Sequence, residues 1–205
     1  AAHRVRIGLL GCDNYGSGAY TQFFNKLHPD PVFAGARVVA AYPIGSPDYP
    51  DNDAHVSQWK KRLLEMYQNP KSPEDAVPPI TMVDSVEDLL KQVDGVMIFS
   101  MDGRLHLSQA APVLKAGKPL FISRPLASAP EDAVAILKLA AETKTPCWSS
   151  SQHRFSAGFS GMRDHPEVGS VLGCHVYGGW AVDAPEADQF IRPLHSIETL
   201  ITIMG

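Results

Sequence analysis

The chain has 205 residues, enough for one large domain or for one domain and a smaller companion. Hydrophobic residues make up 44% and charged residues 20%, an ordinary globular balance, and with a net charge of -4 nothing favours nucleic acid or an anionic membrane as a partner. No run approaches the roughly 18 apolar residues of a membrane span, and Ala1-Ala2-His3 leads directly into a strand-like segment, so no signal peptide is expected.

The first two-thirds alternates strand-like and helix-like segments. Val5–Leu10 is a short apolar run ending in glycine, and Ala19–Leu27 follows as a helix. Arg37–Tyr42 is a second apolar run, closed by the Pro/Gly/Asp-rich loop Pro43–Asn52. His55–Tyr67 repeats Val56, Trp59, Leu63 and Met66 at helical spacing. Ser85–Lys91 is a helix opened by Ser85, with Asp88 three residues on as a capping-box variant. Gly95–Ser100 reads as a buried strand and Arg104–Lys115 as a helix closed by Gly117. Pro119–Ile122 is a strand, Glu131–Glu142 a helix and Thr145–Ser149 a strand.

Short apolar strands separated by helices predict an α/β fold: a Rossmann-type doubly wound parallel sheet over residues 1–150. In such sheets ligands bind beyond the carboxyl ends of the strands. That directs attention to Gly11–Gly16, Pro43–Ser46, Met101–Gly103, Ser123–Pro125 and Ser149–Arg154. After about Ser151 the pattern changes to a short, incomplete α+β second domain, residues 151–205, for substrate or oligomer contacts. It offers a short helix over Phe155–Arg163, a strand over Val171–Tyr177 and a helix over His195–Met204.

The first chemical motif is the turn Gly11-Cys12-Asp13-Asn14-Tyr15-Gly16 after the first strand. A dinucleotide turn wants G-x-G-x-x-G, whose second glycine lets pyrophosphate approach the backbone. Gly11 and Gly16 hold the first and third places, and Asp13 holds the second. A carboxylate about 4 Å from a phosphate, at an effective dielectric near 20, costs on the order of 4 kcal/mol unless it turns away or pairs with a cation. The second motif is the end of the next strand, where an NAD site usually places an acid for the ribose. Pro43 stands there, with Ser46 and Asp48 as substitutes in the loop. An ordinary glycine-rich turn and an ordinary Pro/Gly loop are the plain readings of these two segments.

The third motif is Asp94–Ser100 followed by Asp102 and His106, then Lys115-Ala116-Gly117-Lys118-Pro119-Leu120-Phe121-Ile122-Ser123-Arg124-Pro125-Leu126-Ala127. His153-Arg154-Phe155, Gly169–Gly173 and His195-Ser196-Ile197-Glu198-Thr199-Leu200 follow in order. Together these resemble the Gfo/Idh/MocA family of sugar oxidoreductases. Its strands read roughly D-x-V-x-I-x-T-P-x-x-x-H and A-G-K-x-V-x-x-E-K-P-L-A, its second domain opens with G-x-I-G-x-V, and a late helix reads H-x-x-D-x-L. The resemblance implies an NAD- or NADP-dependent enzyme acting on a sugar or polyol. By position, Arg124 and His195 are the catalytic pair, with Glu198 as the acid beside them. Gly11, Cys12, Asp13, Gly16, Ser46, Ser100, Asp102, His106 and Arg124 are the cofactor-binding set. His195 and Glu198, three apart, share one helix face, able to meet a substrate or a metal.

Asp13, Pro43 and Arg124 depart from the family pattern together. An arginine stays charged and cannot act as the base that a buried lysine becomes, although it can bind a carboxylate or stabilise an alkoxide. A relative without redox activity, either a sugar-binding protein or a lyase, is therefore the second reading. The family's second domain carries a large open sheet, of which only Val171–Tyr177 is legible here. The short half is thus a fragment, a cap on the first domain, or a half completed in a homo-oligomer.

The other candidates are plainer. His106 is a packed helix residue or a cofactor neighbour, and His153 a strand-end residue. His165 and His175 read as structural or exposed, Trp148 and Trp180 as packing, and Asp183, Glu186 and Asp188 as a solvated loop or, since they precede His195, as a lining of the cleft. Cys12, Cys147 and Cys174 lie far apart, without CxxC or a Cys/His cluster at zinc spacing. That suits reduced thiols in a cytoplasmic protein with no resident metal, a secreted protein with a disulfide being the other reading.

Overall fold

The structure is a computed structural model that describes residues 4–25, 30–48, 51–68, 79–178 and 186–205. Trp180 and Asp183 lie outside the described residues. The first strand, β1 (Val5–Leu10), runs into helix α1 (Tyr15–Phe24). The helix begins four residues earlier than its apolar pattern suggests, because the Asn14 side chain accepts the Gly16 N–H at 2.7 Å and caps it. It ends at Asn25, whose side chain accepts from Val38 N at 2.9 Å and donates to Val38 O at 2.8 Å, tying the helix end to the next strand. That strand is β2 (Ala36–Tyr42), followed by α2 (Asn52–Gln68) and a two-residue strand, β3 (Thr81–Met82), which the sequence pattern does not announce.

Helix α3 (Val86–Gln92) is capped by Ser85 as expected, with Asp88 N donating to its hydroxyl at 3.1 Å. Strand β4 (Gly95–Ile98) leads through a 3-10 turn, Gly103–Leu105, into α4 (His106–Lys115). Gly117, at φ +67°, reverses the chain after α4. Strand β5 (Leu120–Ser123), helix α5 (Pro130–Glu142) and strand β6 (Cys147–Ser150) complete the alternation. Helix α5 starts with proline at its first position and Glu131 and Asp132 in its first turn, all favourable at a helix N-terminus.

All six strands are parallel, in the order β3-β2-β1-β4-β5-β6. This is the order of a doubly wound dinucleotide-type sheet, and its topological switch point lies between β1 and β4. Alternate residues feed two cores. Leu10, Val96, Ile98, Leu120 and Ile122 pack with Leu89, Val113, Leu114 and Ile136 of α3, α4 and α5. Ile7, Leu9, Val38, Met97 and Phe99 pack on the other face with Leu63 of α2 and Tyr20 and Phe24 of α1. The pairing slips by one residue between Ile7 and Gly8, so Val39 falls between their partners Val38 and Ala40.

Beyond β6 the chain is less regular. A 3-10 turn (Gln152–Phe155) and a one-turn helix, α6 (Ala157–Ser160), replace the helix expected over Phe155–Arg163. Gly158 and Gly161 weaken helix there. The strand expected over Val171–Tyr177 is not formed: residues 171–178 have no regular structure, and Leu172 and Tyr177 are 94% and 93% exposed. A strand needs a ladder partner, and the described residues offer that segment none. The last helix, α7 (Glu186–Met204), begins well before His195, so the backbone at Glu186 and Asp188 is helical where a loop was expected.

Candidate functional site

The carboxyl ends of β1, β2, β4, β5 and β6 gather the predicted residues into two neighbouring clusters. The first surrounds the turn after β1. Gly11 sits at φ +84°, and a Cβ there would collide with Ser100, so the turn requires glycine. Gly16 is equally confined, by Phe99 and the capping Asn14 side chain, whose amide also donates to Phe99 O.

Asp13 resolves the charge problem by turning inward. Its carboxylate is 2% exposed and accepts hydrogen bonds from Ser46 Oγ at 2.8 Å and from Met101 N at 3.0 and 3.2 Å. Ser46 Oγ in turn accepts from Asp102 N at 3.2 Å. One buried carboxylate thus latches the loops after β1, β2 and β4 together. Burial pushes its pKa up, while the Ser46 hydroxyl, the Met101 N–H and the charge of His106 oppose that rise. Ser46 is fully buried by this latch. Pro43 is half-buried and Asp48 exposed, and Asp48 lies 3.5 Å from Arg104.

Asp102 is held by Arg104 through contacts of 2.6 to 3.0 Å. Burial opposes ionisation of Asp102, but the Arg104 guanidinium and N–H outweigh it and keep the carboxyl below its ordinary range. His106 is fully buried, with Nδ1 2.8 Å from Pro125 O and Nε2 2.9 Å from Ser100 O, so it ties the loops after β4 and β5 to each other. Burial lowers its pKa against those carbonyls. Ser100 Oγ accepts from Gln109 Nε2 at 2.8 Å. Cys12 is fully buried, and burial, then the neighbouring Asp13, push its thiol up to about 12, which leaves it unreactive.

The second cluster joins β5, β6 and α7. Arg124, directly after β5, donates from Nε to His195 Nε2 at 2.9 Å. His195 Nδ1 lies 2.6 Å from Ser151 Oγ, directly after β6. Because arginine only donates, His195 Nε2 must accept, so a neutral ring carries its proton on Nδ1 and donates it to Ser151. Ser151 also accepts from His153 N at 3.2 Å. The His153 ring stacks on His195 with centroids 4.6 Å apart, and Thr199 Oγ1 lies 3.4 Å from His153 Nδ1. Burial, then Arg124, then His153 push the His195 pKa down to about 4, with Glu198 opposing. The ring is therefore neutral near pH 7. Glu198 itself turns to Arg154 Nε at 2.8 Å rather than to His195, and reaches the ring only through its charge.

The structure brings Arg124 and His195, paired by the resemblance, into contact, and adds Ser151, which lies in the flagged segment Ser149–Arg154 but was given no role; His153, expected as a strand-end residue, stacks on His195. The rule that ligands sit past the carboxyl ends of strands was the available signal for Ser151, the first residue after β6. Next to this cluster, a cavity of about 620 Å³ is lined by His153, Phe159, Met162, Tyr177, His195 and Thr199 among others. Tyr15 stands 47% exposed at the mouth of the first turn, with its hydroxyl 3.4 Å from Gln152 Oε1. No group of three or more His, Cys, Asp or Glu suited to a metal occurs among the described residues. No helix among them is long and apolar enough to cross a membrane.

Residues 5–151 match the Gfo/Idh/MocA family, described as an oxidoreductase family with an NAD-binding Rossmann fold. The chain belongs to that family. No curated protein matches it by sequence. Among solved structures, myo-inositol 2-dehydrogenase from Lactobacillus plantarum aligns at TM-score 0.57 and 15% identity, over 85% of this chain and 45% of that one. The WlbA dehydrogenase from Bordetella pertussis, in complex with NADH and UDP-GlcNAcA, aligns at 0.55 and 20% identity, over 80% of this chain and 40% of that one. An NAD-binding protein from Listeria innocua aligns at 0.55 and 17% identity, over 86% and 47%. At these identities the likeness establishes the fold, and the chain spans less than half the length of these structures.

The family's cofactor fits the first cluster where the sequence raised an objection. The Gly11 turn is intact, and the Asp13 charge is directed inward rather than toward the place of a pyrophosphate.

Proposed function

We propose that this chain carries the cofactor half and the catalytic junction of an NAD- or NADP-dependent oxidoreductase acting on a sugar or polyol. The observation that supports this best is the convergence of Arg124, His195 and Ser151 past β5 and β6, beside the latched turn at the switch point. The Gly11–Gly16 turn, with Cys12 within it, and the Ser100–Asp102 loop would hold the dinucleotide, while Asp13, Ser46 and His106 fix those loops to one another. Bound NAD(P) supplies the hydride acceptor.

The protein's own residues handle the proton. His195 is neutral, and its Nε2 lone pair is the basic site. A substrate hydroxyl entering between Arg124 and His195 gives its proton to Nε2. Arg124, unable to lose its own proton, holds the resulting oxygen and stabilises its negative charge. Ser151 keeps the ring oriented, and Glu198 supports its positive form once the proton arrives. Calorimetry with NADH and NADPH at millimolar concentration tests the reading: saturable heat is expected. No heat and no thermal shift with either cofactor rejects it.

A second reading, a non-redox relative that binds or cleaves a sugar, is favoured by one observation. Among the described residues, the ribose side of the turn offers half-buried Pro43, a fully buried Ser46 and exposed Asp48 to receive a hydroxyl. Retention of NADH through purification, or a change at the nicotinamide absorbance band with any sugar, counts against it. The three cysteines are unpaired, consistent with a reducing, cytoplasmic setting. The exposed Leu172 and Tyr177 suit a half-domain completed in a homo-oligomer, for which a strictly monomeric mass in solution would be the refutation.

A further inference from the structure

The guanidinium of Arg124 is only partly used. Its Nε is committed to His195, while Nη1 makes one long contact, 3.5 Å to Ser123 Oγ. The residue is half-buried, and among the residues whose side chains are described, which exclude 186–192, no carboxylate pairs with it. Other arginines show the contrast: Arg6 has Asp94, Arg104 has Asp102 and Asp48, and Arg154 has Glu198. A half-buried cation with no counter-ion among those side chains is costly, and its cost falls when an anion arrives with a ligand.

We propose that the substrate carries a carboxylate, and that Arg124 receives it end-on through Nη1 and Nη2, while the substrate hydroxyl takes the place of Arg124 Nε on His195 Nε2. This rests on reading the Arg124–His195 junction as the substrate site. A planar fork of two N–H groups matches the two oxygens of a carboxylate. A phosphate carries more charge and calls for a second cation, and the neighbouring Arg154 is already neutralised by Glu198. The substrate class is therefore a sugar acid or polyol acid rather than a neutral sugar or a sugar phosphate. The carboxylate also cancels the positive charge that depresses His195, so the acid primes the ring that takes the proton.

The test uses the full chain and matched probes: D-glucuronate, D-galacturonate and D-gluconate, against D-glucose, myo-inositol and D-glucose 6-phosphate. Binding is followed by calorimetry and by the side-chain NMR signal of His195, with and without NADH. The best acid is expected to bind at least about ten-fold more tightly than its neutral counterpart. The His195 titration midpoint should rise on binding. The charged groups facing that ring, Arg124, His153 and Glu198, are otherwise unchanged. Arg124→Gln should reduce the preference for acids to about two-fold or less. Arg124→Lys, which keeps the charge and loses the fork, should retain part of it and shows that the site still folds.

Equal binding of glucose and glucuronate, tightest binding of the phosphate, no binding by any acid, or a preference that persists in Arg124→Gln each overturns the proposal. Binding of acids without binding of NADH leaves this inference standing and removes the redox reading. Binding of NADH without acid selectivity does the reverse.

Discussion

The chain up to Ser151 and the chain after it solve the burial problem differently. In the first part every strand has a partner, and both faces of the sheet feed cores of fully buried Leu, Ile and Val. In the second, α7 carries most of the regular structure, and Phe155, Leu172 and Tyr177 lie 72%, 94% and 93% exposed. Yet the candidate chemistry stands on the seam. Arg124 and Ser151 are fixed at the ends of strands, and His195 is brought to them by a helix from the weaker part. A rigid sheet can position two members of a junction, while the third depends on how well a sparsely packed helix docks.

The widest expected gap between the parts is in stability. Ile98→Ala, in the core under α3–α5, should cost about 2–5 kcal/mol in denaturant unfolding. Asp13→Gly tests the latch: it leaves Ser46 Oγ and Met101 N without their buried acceptor and should cost about 1–3 kcal/mol by the same measurement. A variant as stable as the parent would show that the latch holds nothing.

Smaller still is the effect of acid on the seam. The folded His195 titrates near 4, below its ordinary 6.5, so between these values the unfolded chain binds more protons. Stability contributed by the neutral ring is complete above pH 6.5 and falls as the pH drops toward 4. His195→Asn should flatten that part of the pH–stability curve, and parallel curves for the two proteins would contradict the assigned environment. At the bottom of the scale, Leu172→Ala should change stability by less than about 0.5 kcal/mol, since the side chain touches little. A large loss there would mean that the second part is better packed, in an oligomer, than a single chain shows.

Much of the fold was legible because its signals are local. Apolar runs of strand length, Ser85 as a cap, and Gly11 and Gly117 at left-handed positions each act within a few residues. The strand Thr81–Met82 was missed because two residues carry no periodicity, and Val171–Tyr177 was misread because β-branched content says nothing about a partner. Arg124 and His195 were singled out through a resemblance of motifs, and their meeting across 71 residues is a tertiary fact.

The sequence by itself determined the alternation of strands and helices, the glycine turn at the switch point, and the substitution of a permanent cation for a titratable one at position 124. Only the tertiary structure decided what Asp13 does. Read along the chain, it is a negative charge in the path of a phosphate. Packed, it is a buried acceptor for Ser46 and Met101, residues 33 and 88 positions away. A side chain's charge is set by its type, but its direction is set by the donors that folding brings within 3 Å, and these came from two other strand ends.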